Sequence, residues 1–263
     1  MTIGGIYDAM NEIAPFCDMD RGDNSGLLVG NREDTVTKAL IALDITNDVI
    51  DEAREIGAEL IISHHPVFNF RYEEFNTIGI QTPIYNLAYN KIGAICSHTT
   101  LDVAVGGIND IILDMLREPF SLCDDAEIFE RINDRVGYGK IVTVGKDITP
   151  EEMAKTLKEI FGCTVVKYCK GRKKIKRMAF CSGGGGSLTR LAIAKGADAY
   201  ICGDVKHDQW ISAVNNGISL FDCGHYHTEV IMVNYLKNRL AEKIQGVEFV
   251  ASRNGTDPCC YEV

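Results

Sequence analysis

Short apolar runs alternate with amphipathic stretches along the first half of the chain. Residues 38–43 (KALIAL) suit a buried strand. A helix is predicted to follow as far as Ile56, capped at its start by Asp44 or Thr46 and ended by Gly57. Residues 59–63 (ELIIS) read as the next strand. After a longer loop, Pro83 opens a second helix, Gly93 closes it, and residues 94–97 (AICS) give a third strand. Strands separated by helices imply a parallel sheet with right-handed crossovers.

The second half repeats this grammar. Strands are predicted at 140–144, near 165–168, and at 177–180, 199–202 and 218–222. Thr149-Pro150-Glu151-Glu152 has the form of a helix start: a capping Thr, Pro at the first helical position and Glu three residues on. That helix should end near Gly162. Others are expected after Gly183–Gly186, through Trp210, and from about 229 to 243. The stretch Gly57-Ala58-Glu59-Leu60-Ile61-Ile62-Ser63-His64 is echoed by residues 196–203, and in each case a second glycine-led strand leads to a histidine. The charged segment 118–134 shows no clear periodicity and reads as a linker between lobes. The expected division is a first lobe of residues 1–123 and 220–263 and a second of 124–219.

Composition narrows the classes of function. A chain of 263 residues can form one large domain or two small ones, and 46% hydrophobic with 24% charged residues is an ordinary globular mix. The formal net charge of -10 argues against a nucleic-acid backbone or an anionic membrane as main partner. A small anionic substrate remains compatible, because bound cations would reverse the local field. The first thirteen residues have no basic region followed by an apolar one, and Ile3, Ile6, Met10 and Ile13 recur at helical spacing, so a cytoplasmic protein is expected. Of the ten cysteines, none form a C-x-x-C pair, and Cys96, Cys181 and Cys202 lie inside apolar runs, which reads as reduced core thiols.

The six histidines supply the candidate chemistry. They fall in four clusters: His64-His65, His98, His207, and His225 with His227. Three clusters directly follow predicted strands, and in open α/β sheets ligands bind beyond the carboxyl ends of strands. At a strand end, two adjacent imidazoles such as His64 and His65 can straddle a pair of metals, with Pro66 holding His65 extended. His98 lies four residues before Asp102, a hard oxygen ligand, and could itself be a ligand, a supporting partner or a proton carrier. If a helix has begun by His225, its spacing from Glu229 puts both on one face and turns His227 away. Imidazole plus carboxylate ligation suits zinc, manganese, iron, cobalt or nickel.

Asp23-Asn24-Ser25-Gly26-Leu27-Leu28-Val29-Gly30, Ser63-His64-His65-Pro66, His98-Thr99-Thr100-Leu101-Asp102, Gly203-Asp204-Val205-Lys206-His207 and Asp222-Cys223-Gly224-His225-Tyr226-His227-Thr228-Glu229 occur in that order. Together they resemble the successive motifs of the Nif-three-like family, whose bacterial members are often called GTP cyclohydrolase I type two homologues. The resemblance spans residues 23 to 229, and Thr256-Asp257-Pro258 also fits. It implies two interlinked α/β lobes with mostly parallel sheets, a metal site in the cleft between them, and a ring-shaped homo-oligomer, typically a hexamer. Residue by residue, it assigns His64 and Asp102 to one of two divalent ions, His65 and His225 to the other, and Glu229 to both, with His98 beside them. The chain departs at Asp20-Arg21-Gly22, where an aromatic residue is common.

That resemblance implies a metal-dependent hydrolase acting on a C–N bond of a nucleotide, with His98 as the catalytic proton carrier and a small molecule as substrate. The competing class is a non-enzymatic metal-binding, metal-delivery or scaffold protein. Two segments stay open. The run Gly183–Gly186 could be a close-packed turn or an anion cradle, and Lys206 and His207 could meet a phosphate or simply start a helix.

Overall fold

Thr46 and Gly57 delimit the helix that the pattern assigns between them. The Thr46 hydroxyl accepts from the Val49 amide, and Gly57, at φ 70, takes the left-handed conformation that ends the helix. This computed structural model of the protein describes residues 1–68 and 83–262. The chain divides into two units: Met1–Ala104 with Val230–Pro258, and Val105–Glu229 with the last residues of the chain.

The first unit begins with α1 (Ile3–Ile13), β1 (Gly26–Val29), β2 (Lys38–Ala42) and α2 (Asn47–Ile56). There follow β3 (Leu60–Ser63), α3 (Pro83–Tyr89), β4 (Gly93–Cys96) and the short α4 (Thr99–Val103). Most of the long loop expected before Pro83 lies at 69–82, outside the described residues. One boundary differs from expectation. Lys91, at φ 56, lies in the turn after α3, and Gly93 opens β4, where a Cβ would press on the side chains of Ile3 and Leu60. Strands β2, β3 and β4 pair in parallel, as the strand–helix alternation predicts, while β1 adds an antiparallel edge against β4. Leu40, Ile61 and Ala94 face Val49, Ile50 and Ala53 of α2 in a fully buried core.

The second unit runs α5 (Ile108–Phe120), β5 (Glu127–Arg131), β6 (Gly137–Thr143), α6 (Pro150–Phe161), β7 (Lys167–Cys169), β8 (Arg177–Phe180), α7 (Thr189–Ala194), β9 (Ala199–Cys202), α8 (His207–Asn216), β10 (Ser219–Asp222) and α9 (His225–Glu229). The Thr149 capping box forms as expected. The sheet order is β5-β6-β8-β9-β10-β7, with β8, β9 and β10 parallel and antiparallel strands outside them. The segment taken for a linker instead contains β5. Only Phe129 of β5 is fully buried, so an edge strand with one core residue leaves little alternation to read. The unit boundary falls at Ala104, earlier than the expected 123, because α5 packs on β6. At the other end, β10 and α9 also belong to this unit, so His225 and Glu229 lie in the second unit and not the first.

The chain then returns to the first unit as α10 (Ile231–Lys243) and β11 (Glu248–Ala251). The single helix expected over 229–243 is two, with α9 ending at Glu229. Strand β11, which the pattern did not indicate, extends the first sheet in parallel beside β2. Glu52 of α2 fastens this return. Its buried carboxylate accepts from the Ser252 hydroxyl at 2.7 Å and from the Arg253 and Asn254 amides. Burial alone would raise its pKa, but these donors outweigh that and hold it below the usual value of 4.5. The stabilisation is therefore present above the unfolded pKa and is lost as pH falls through the lower folded value. Glu52→Ala should cost about 2–3 kcal/mol at neutral pH, as expected when charge-assisted donors lose their acceptor. Denaturant melts of the two proteins should converge toward acid. Equal differences at neutral pH and at pH 3 would refute the linkage.

Candidate metal centre

The carboxyl end of β3 turns outward under backbone control. The amides of His64 and His65 both donate to the Leu43 carbonyl, at 3.2 and 2.9 Å, and the Ser63 hydroxyl donates to the His65 carbonyl. Released from strand alternation, the two rings fall on the same side, their centroids 5.0 Å apart. His98, past the end of β4, brings a third ring 5.2 Å from His64 and 5.6 Å from His65. All three offer ring nitrogens within 4.8 Å of one another. Asp102, on the first turn of α4, lies with an oxygen 3.8 Å from His64 Nε2. His64 is fully buried and Asp102 nearly so.

In the second unit, α9 starts at His225, directly after Gly224 at φ 83. The i to i+4 spacing then places Glu229 Oε2 2.9 Å from His225 Nε2. That separation is spanned by a proton on an imidazolium or by a cation that both groups ligate. Burial lowers the His225 pKa, but Glu229 and Asp204 outweigh it and hold the imidazole up at about 9. His227, on the same helix, is buried against Gly224 and edge-on to the Tyr226 ring.

The glycine run 183–186 is a close-packed turn. A Cβ on Gly183 would run into the Glu229 carboxylate, and one on Gly185 or Gly186 would strike Tyr200 or Gln209. Two of its amides are engaged: Gly183 donates to Thr228 Oγ1 and Gly185 to the Gly183 carbonyl. Gly183→Ala should therefore displace Glu229, since it adds both the clash and a β-carbon at φ 58. A fall in metal affinity larger than the fall in melting stability is the expected result. Unchanged affinity would mean that Glu229 is not needed. Lys206 and His207 are exposed at the start of α8, with Gln209 capping the Lys206 amide.

One arrangement recurs at four histidines. Nδ1 of His64 meets the Ser97 carbonyl at 2.9 Å, and Nδ1 of His65, His98 and His225 meets Asp44, Asp23 and Asp204 respectively, each at 2.7 Å. An imidazole that donates Nδ1–H to an oxygen presents Nε2 as a lone pair, the orientation that metal-ligating histidines take. Imidazoles so oriented, together with carboxylates, form a donor set that fits divalent transition metals. Asp23 is held firmly. Burial pushes its pKa up, but His98, the Thr99 hydroxyl and the Asn24 amide outweigh this and keep it well below the usual carboxylate range.

Asp23, Asp44 and Asp204 received no such role from sequence. The pattern offers Asp44 only as a helix cap, a place that Thr46 fills instead. The available signal was position: Asp44 and Asp204 each follow a strand by two residues, and His64, His65, His98 and His225 follow theirs by one to three.

The model of the Duf34/NIF3 (NGG1p interacting factor 3) family matches residues 1–258. The chain belongs to this family. A Clostridium perfringens member named GTP cyclohydrolase 1 type 2 homolog is 31% identical, with 98% of each chain covered. The yeast NGG1-interacting factor 3, from Saccharomyces cerevisiae, is 26% identical over 90% of this chain and 88% of its own. The solved structure of Staphylococcus aureus hypothetical protein SA1388 superposes with a TM-score of 0.86 at 28% identity, covering 100% of this chain and 99% of that one. The NIF3 fold inferred from the motifs is thus the fold of the chain. Among the described residues, no helix is long and apolar enough to cross a membrane.

Proposed function

We propose that His64, His65, Asp102, His225 and Glu229 together hold two divalent metal ions, and that the chain is a metal-dependent hydrolase of a small molecule. The observation that carries this reading is the shared orientation of the histidine rings, each fixed through Nδ1 by an oxygen as metal-ligating histidines are. Following the family pattern, His64 and Asp102 serve one ion, His65 and His225 the other, and Glu229 both. When bound, the ions supply Lewis acidity, bringing the ionisation of water toward neutrality and drawing charge from the bond under attack. The chain's own contribution to proton movement is His98. Asp23 holds its Nδ1 proton, so Nε2 can take a proton from a nucleophile and return it to a leaving nitrogen. The name carried by the Clostridium perfringens relative favours a nucleotide C–N bond as target.

The reading also expects a cytoplasmic homo-oligomer, a hexamer by family likeness. Protein reconstituted at neutral pH should bind close to two ions per chain by elemental analysis, and light scattering should give a mass several times that of one chain. No bound metal would overturn the metal reading, and a single-chain mass the oligomer. Loaded protein should open purine nucleotides with release of formate. Loaded protein inactive on every nucleotide and phosphoester tried would identify a metal-binding protein without this catalysis.

A further inference from the structure

The supports behind the three ligand rings are unequal. His64 rests on a neutral acceptor, the Ser97 carbonyl, whereas His65 and His225 rest on the charged carboxylates of Asp44 and Asp204. These two carboxylates do little for folding. Their side chains are 46% and 61% exposed, and an ion pair so open to water contributes little to stability. Asp44 is also not the cap of α2, because Thr46 fills that place.

Asp204 carries a further cost. It sits at φ 56, a left-handed conformation that glycine adopts freely and a β-carbon disfavours. It directly follows Gly203, where a Cβ would collide with the His225 amide, so the chain passes tightly beneath His225 at this point. A strained backbone angle kept under an exposed carboxylate is what remains when the side chain is retained for the ring it touches.

We propose that Asp44 and Asp204 are positioning residues that act on one and the same metal ion, the one held by His65 and His225. This assignment rests on the dinuclear reading above. Each aspartate fixes the tautomer of its imidazole and adds negative charge behind Nε2, which makes that nitrogen a stronger ligand. The other ion's imidazole, His64, is backed by the neutral Ser97 carbonyl, and its charge comes directly from Asp102 and the shared Glu229. The two positions are therefore electrostatically distinct, and each can be weakened independently of the other.

The test is stepwise titration of the metal-free protein with cobalt(II), followed by its ligand-field absorption, with zinc competition for the affinities. Asp44→Ala and Asp204→Gly should each lower the affinity of the same one of the two binding steps by about 10–100-fold and leave the other step in place. Asp44→Asn, which keeps an acceptor oxygen but not the charge, should fall between Asp44→Ala and the parent. Asp204→Gly suits its backbone angle, so metal-free protein carrying it should melt no lower than the parent, and its loss of affinity cannot be assigned to poor folding. Unchanged affinities, losses in different steps, or equal losses in both steps would each overturn the proposal. A parent protein that takes up fewer than two ions would instead overturn the dinuclear reading, a result read from the parent's stoichiometry alone.

Discussion

Glu229→Ala should leave purified protein with almost no bound metal, whereas Asp102→Ala should lower the content to about one ion per chain. The difference follows from the proposed roles: a carboxylate shared by both ions fails for both, and a terminal ligand fails for one. The surroundings of Glu229 make it hard to replace. It is 4% exposed, on the same helical face as His225, and Gly183 leaves no room for even a β-carbon against it. Glu229→Gln keeps the volume and removes the charge, so it separates packing from ligation. It should fold like the parent and still lose most of its metal. Metal content measured after dialysis against apo buffer decides the matter. Equal partial losses for Glu229→Ala and Asp102→Ala would show that Glu229 is a terminal ligand.

Local rules carried the sequence reading where local chemistry sets the structure. Thr46 and Gly57 around α2, and Thr149 with Glu152 at α6, satisfy backbone donors within a few residues, so both helices are legible from spacing alone. The fully buried strands β3 and β9 are equally plain as apolar runs. What was missed depends on partners far along the chain. β11 is a strand only because β2 offers it a parallel edge some two hundred residues earlier. The chain's return from α9 to α10 was likewise hidden, because one amphipathic stretch runs through Val230 without an obvious break. In the site, the histidines were visible as clusters at strand ends. The carboxylates behind them were not, since Asp23 stands 75 residues before His98, and Asp44 and Asp204 each stand 21 residues before the ring they meet. A motif names candidate ligands, and only the fold pairs each with its support.

The catalytic half of the reading turns on His98. It shares the carboxylate-backed geometry of His65 and His225, so geometry alone allows it to be a ligand as well as a proton carrier. Its surroundings differ from those of His64. The ring is 32% exposed where His64 is sealed, which suits a group that must exchange protons with solvent or substrate. Asp23 behind it is almost fully buried and fixed by the Ser25 and Thr99 hydroxyls, so Nδ1 is not free to turn outward. Histidine is the side chain suited to proton exchange near neutral pH, and general acid–base catalysis by such a group contributes about 10²–10⁴-fold. His98→Ala should therefore lower turnover of a nucleotide substrate by that factor while metal content stays near two ions per chain. Asp23→Asn should lower turnover less, because its amide oxygen can still accept the Nδ1 proton. Loss of one ion from His98→Ala would make His98 a ligand and leave the proton transfer to another group. Unchanged turnover with unchanged metal would make the His98–Asp23 pair a structural tie between the loop at residue 23 and the end of β4.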